Sequence, residues 1–186
     1  MTGNLTVPGL NATSVNGGHA GPRNLIINGA MQVNQRKALN ETVSTQAINY
    51  LSADRWNTGT DLPGAASTTW VKDAPPGFVY SQKLTVVTTT SPGESDYGGF
   101  FQAIEKRNME FLSWGTADAQ AVNLSFWTKS NVTGKRGGAI RFGSSDPNIQ
   151  FPFSYTINQV DTWEYKTIKV PGPTVGGMTA DVGMYV

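Results

Sequence analysis

The chain has 186 residues, enough for one domain with a core plus an appendage. Its 14 basic and 13 acidic residues leave a net charge of +1, and its longest basic clusters are Arg36–Lys37 and Lys135–Arg136, which excludes the basic patch that nucleic-acid binding requires. It has no cysteine and one histidine, His19, so disulfides and sites built on Cys or paired His are excluded, and no metal or other cofactor is expected.

Residues 1–23 place Leu5, Val7, Leu10 and Val15 singly between Gly, Asn, Thr and Pro. Such a segment cannot bury enough apolar surface to offset the entropy of ordering it. It is expected to be an extended polar arm, spanning up to roughly 75 Å, that becomes ordered on a neighbour in an assembly. It lacks the charged and apolar regions of a signal peptide, and no apolar run reaches a membrane-spanning length, so synthesis in the cytosol and no membrane partner are expected.

From Asn24 the pattern predicts strands. Residues 24–36 open with an apolar run and then alternate Met31 and Val33 against Gln32 and Asn34. Residues 78–88 alternate through Tyr80, Leu84 and Val86, and Phe100, Gln102 and Ile104 share one face. A short helix is predicted over residues 108–114, with Asn108 as cap and Gly115 as terminator. Val122, Leu124 and Phe126 oppose Asn123, Ser125 and Trp127, the clearest half-buried strand. Thr133–Gly138 reads as a hairpin turn and residues 139–143 as a short strand. Phe151, Phe153, Tyr155 and Ile157 then alternate with polar residues, and Pro152 marks an edge strand or a strand start. Residues 163–170 change phase between Tyr165 and Ile168, which predicts a bulge or a two-sided strand. A further strand begins at Val182. The 21 Gly and 10 Pro fall largely between these runs, the spacing of an all-β sandwich or barrel.

Several segments carry a family resemblance: residues 23–36 (RNLIINGAMQVNQR), 54–56 (DRW), 78–84 (FVYSQKL), 102–105 (QAIE), 112–119 (LSWGTADA), 122–130 (VNLSFWTKS) and 161–165 (DTWEY). Their order and spacing resemble virion proteins of tailed phages, especially fibre-like proteins of marine and cyanobacterial phages. The resemblance covers residues 23 to about 170. It implies a jelly-roll-like antiparallel β-sandwich over residues 24–186, similar to carbohydrate-binding modules and without known catalytic residues. Related jelly rolls continue with further strands beyond the segment matching residues 171–173, so the sheet is expected to be incomplete at its C-terminal end.

The chemistry-bearing residues are weighed in that light. His19 is expected to be a solvated arm residue. Glu105, Glu110, Asp118 and Glu164 are scattered and read as surface charges and turn caps rather than a glycosidase pair. Asp54, Arg55 and Trp56 form a group suited to a sugar, but the resemblance places them in the scaffold, with Trp56 filling the core of a strand and Asp54 pairing with a cation. Trp127, Trp70 and Trp163 are the candidate ligand or interface contacts; for Trp127, on the second face of its strand, interface or packing is expected ahead of sugar contact. The expected function is a non-enzymatic virion subunit, a fibre or spike, held to other virion proteins through residues 1–23. It is expected to be a homo-oligomer, with a trimer favoured, whose three-fold axis buries strand faces such as that of Trp127. A host-surface glycan is the further partner. The alternatives are a carbohydrate-binding module with a sugar site and a capsid decoration protein.

Overall fold

The computed structural model describes residues 24–45, 50, 53–60, 66–87, 98–143, 149–176 and 181–186. The proposed arm at 1–23, with His19 in it, lies outside the described residues. Within them the chain is all-β. In order come β1 (Thr42–Thr45), β2 (Asn57–Thr60), β3 (Ala66–Val71), β4 (Ser81–Val86), β5 (Gly98–Phe101) and β6 (Ala103–Glu105). A single helical turn α1 (Lys106–Met109) runs into a 3₁₀ turn (Glu110–Leu112), followed by β7 (Val122–Thr128), β8 (Gly134–Phe142), β9 (Gln150–Ile157), β10 (Glu164–Val170) and β11 (Val182–Tyr185).

All pairings are antiparallel. The strands form sheets β1-β3-β4, β2-β5, β7-β10 and β6-β11-β8-β9. The C-terminal strand β11 thus takes a central place between β6 and β8. Ile104, Ile140, Phe142 and Met184 from the four-stranded sheet, Val170 from β10, and Met109, Leu112 and Trp114 from the helical turn and following loop form one buried apolar cluster. Val122, Leu124 and Ile168 pack against it from the inner face of β7-β10, and Phe151 and Phe153 from β9.

The alternation of β7 and β9 follows the pattern expected, one face half-buried and the other exposed. Pro152 indeed sits on an edge strand, since β9 ends the order of its sheet. Along β10, pairing with β7 is continuous from Glu164↔Thr128 to Val170↔Val122. The phase change therefore reflects a two-sided strand without a bulge, with Tyr165 exposed and Ile168 and Val170 turned inward.

Four expectations are corrected. Residues 24–36 form turns and irregular backbone, because polar side chains satisfy the main chain locally. Asn28, at φ 54°, accepts from the Gln32 and Val33 amides at 3.0 and 3.1 Å and donates from Nδ2 to the Val33 and Asp54 carbonyls at 2.9 Å each. The helical segment begins at Lys106, so Asn108 lies inside it and donates from Nδ2 to Glu105 Oε2 at 3.0 Å rather than capping. It closes at Ser113, at φ 53°, before Gly115 is reached. Residues 134–138 belong to β8, not to a turn. Gly138 is glycine because the Phe153 ring lies over it: a Cβ there would sit 2.5 Å from Cζ. Finally, residues 53–55 are a turn leading into β2, with Arg55 at φ 76°, and not a strand.

The turn between β9 and β10 is held by one carboxylate. Glu164 accepts from the Asn158 and Gln159 amides at 2.7 and 2.9 Å, from Asn158 Nδ2 at 2.8 Å and from Lys166 Nζ at 2.6 Å. The Lys166 ammonium first, and then these amides, hold its pKa at about 2 against an ordinary 4.5. A carboxylate depressed in the folded state stabilises the fold above its unfolded value and loses that contribution as pH falls. The melting temperature of the native chain is therefore expected to drop relative to Glu164→Gln between pH 4.5 and 2. A gap between the two proteins that stays constant over that window in a pH series of thermal melts would contradict the role assigned to Glu164.

Candidate functional site

The motif residues of the first half converge on one hydrogen-bonded node. Gln102, fully buried, follows β5 and meets Ile27 with both ends of its amide: the Ile27 N–H donates to Oε1 and Nε2 donates to the Ile27 carbonyl, each at 2.8 Å. Its own backbone pairs with Val186, N–H to carbonyl at 2.9 Å and the reverse at 3.0 Å. Gln102 thus behaves as a second peptide group that fastens residues 24–28 to the sheet. Asp54 Oδ1 accepts from the Gln35 amide at 3.1 Å and from Arg36 Nη1 at 3.3 Å, the cation pairing expected of it. Arg55 pairs with Glu105, whose pKa the guanidinium lowers. Trp56 is half-buried rather than part of the buried core, and its Nε1 donates to the Asn28 carbonyl at 3.1 Å. Each of these side chains is thus tied to the scaffold.

Two of the three candidate tryptophans are likewise engaged. Trp70 on β3 donates from Nε1 to the Met31 carbonyl at 2.7 Å and packs against Tyr80 at a centroid distance of 4.3 Å. Trp163, just before β10, donates to Asp73 Oδ1 at 3.3 Å, with the Lys129 ammonium 5.3 Å from its ring centroid. Asp73 also takes Lys129 directly, and that ammonium, then the indole N–H, hold its pKa low. The group joins the segment after β3 to the neighbouring ends of β7 and β10.

Trp127 differs. It is 37% exposed on β7, opposite Tyr165 on β10, which is 57% exposed. Their rings lie 5.3 Å apart at 55°. Along the same outer face follow Ser125 opposite Thr167, with hydroxyl oxygens 3.2 Å apart, and Asn123 opposite Lys169. Tyr165 was missed by sequence reasoning; its only signal was the change of phase within residues 163–170. Trp127, Trp70 and Trp163 each have different partners: Tyr165, Tyr80 and Asp73.

Two depressions lie among the described residues. An apolar cleft of about 160 Å³ is lined by Trp114, Phe142, Phe151, Val170 and Pro171 among others, and a shallow charged one by Glu105, Lys106, Arg107, Glu110 and Asp181. Among the described residues no group of three or more His, Cys, Asp or Glu is placed to hold a metal, and no helix is long and apolar enough to cross a membrane. Comparison with family models, curated proteins and solved structures finds no match.

Proposed function

We propose that the chain is a non-enzymatic virion structural protein of a tailed phage, a fibre or spike subunit that works by contact. The observation that carries this reading is the division of labour among its motif residues. Asn28, Asp54, Arg55, Trp56 and Gln102 are committed to holding the scaffold together, while the β7-β10 outer face keeps an aromatic pair exposed. The shared apolar cluster between β7-β10 and the four-stranded sheet supports a jelly-roll-like sandwich. In this reading residues 1–23 anchor the module to other virion proteins, and copies associate as a homo-oligomer, with a trimer favoured.

Deleting residues 2–23 in the phage genome tests this. Immunoblots of purified particles are expected to detect the full chain and to lose it on deletion, while the shortened chain accumulates folded in the lysate. Particles that retain the shortened chain would overturn the anchoring role. Absence of the full chain from wild-type particles would overturn the virion assignment itself.

A further inference from the structure

The outer face of β7-β10 is graded along its length. At one end stand the rings of Trp127 and Tyr165, in the middle the hydroxyls of Ser125 and Thr167, and at the other end the Asn123 amide and the Lys169 ammonium. All six side chains belong to exposed residues. The two hydroxyls share a single hydrogen bond and keep further donor and acceptor capacity. None of the six is a carboxylate, so together they carry one net positive charge; beyond the ring end come Trp163 and the Lys129–Asp73 ion pair. Lys169 forms no ion pair among the described residues.

We infer that this face binds an acidic oligosaccharide laid along the strands. A sugar ring presents an apolar C–H face that stacks on an exposed aromatic, and a rim of hydroxyls that suits Ser125, Thr167 and Asn123. Lys169 lies four residues from Tyr165, a separation of about 13 Å along an extended strand, so the ammonium meets a carboxylate on a sugar beyond the one that stacks. The size of the face, taken alone, favours this ligand over a lasting protein partner. Seven residues by two strands give about 230 Å², against the roughly 800 Å² that each side of a lasting interface contributes. The inference deepens the contact role proposed above and supplies its ligand class.

The test is binding of the full chain to an array of neutral, sialylated and uronic-acid-containing glycans, followed by titration with the best-retained acidic oligosaccharide. Affinity is expected to fall about tenfold or more in Trp127→Ala and again in Tyr165→Ala. Lys169→Ala is expected to weaken acidic glycans severalfold while leaving residual binding to their neutral counterparts. All three positions are exposed, and circular dichroism should show unchanged folding. Retention of no glycan, retention of neutral glycans alone, or binding undiminished in Trp127→Ala would overturn the proposal. So would light scattering showing that Trp127→Ala dissociates an oligomer, since the face would then be a subunit contact. None of these outcomes alters the particle immunoblot, so failure of the glycan site and failure of the virion assignment are read separately.

Discussion

Replacing Gly143 with alanine is expected to destabilise the fold by about 3 kcal/mol or more, read as a lowered midpoint of urea unfolding at unchanged slope. Gly143 follows β8 where β11 runs alongside it, and its N–H donates to the Gly183 carbonyl at 2.8 Å. A Cβ at Gly143 would overlap the Val182 carbonyl group, with the carbonyl carbon only 2.7 Å away. The obstructing atoms are backbone, which cannot swing aside as a side chain does. Relief therefore requires moving β11, and with it Met184 from the buried cluster. Gly99→Ala is the control: nothing lies within 4 Å of its added carbon, and its effect is expected to stay within about 1 kcal/mol. Equal effects at the two positions would show that β11 is not seated as described.

Gln102→Leu is expected to cost about 2–4 kcal/mol, although it keeps the size of the side chain and raises its hydrophobicity. The loss comes from what is left behind: both polar backbone groups of Ile27 lose the partner that the fully buried Gln102 amide supplies. Gln102→Glu probes the same point differently, since a carboxylate accepts from the Ile27 N–H but cannot donate to the Ile27 carbonyl without taking up a proton. Native-state hydrogen exchange at the Ile27 amide should accelerate in Gln102→Leu well before global unfolding. A leucine variant as stable as the native chain would mean that water replaces the glutamine at no cost.

The parts of this architecture legible in the sequence are those where one strand face meets the core and the other meets water. Val122 to Thr128 and Phe151 to Ile157 announce themselves because their burial has period two. Residues 24–36 misled for the opposite reason. Leu25, Ile26 and Ile27 resemble a strand start, yet the segment is shaped by Asn28 and by a glutamine 75 residues away. The glycines of β8 misled because a glycine that yields to a distant ring has the same letter as one that turns the chain; Phe153, its neighbour across the ladder, decides the matter. The candidate site was half-visible. Trp127 stood out as an aromatic on the wrong face of its strand, but its pairing with Tyr165 depends on a register that no single strand encodes.

Pro152 gives β9 a property that matters when many copies crowd together. Among the described strands β9 hydrogen-bonds only β8, so its far side is an open rim of backbone polar groups. A proline holds its place opposite Ala139 most readily when its nitrogen points away from that partner, leaving one donor missing from the rim. A strand from another molecule trying to extend the sheet meets a gap in mid-length and a fixed backbone angle. Pairing of a second chain along β9 is thereby disfavoured, whatever else the molecule meets.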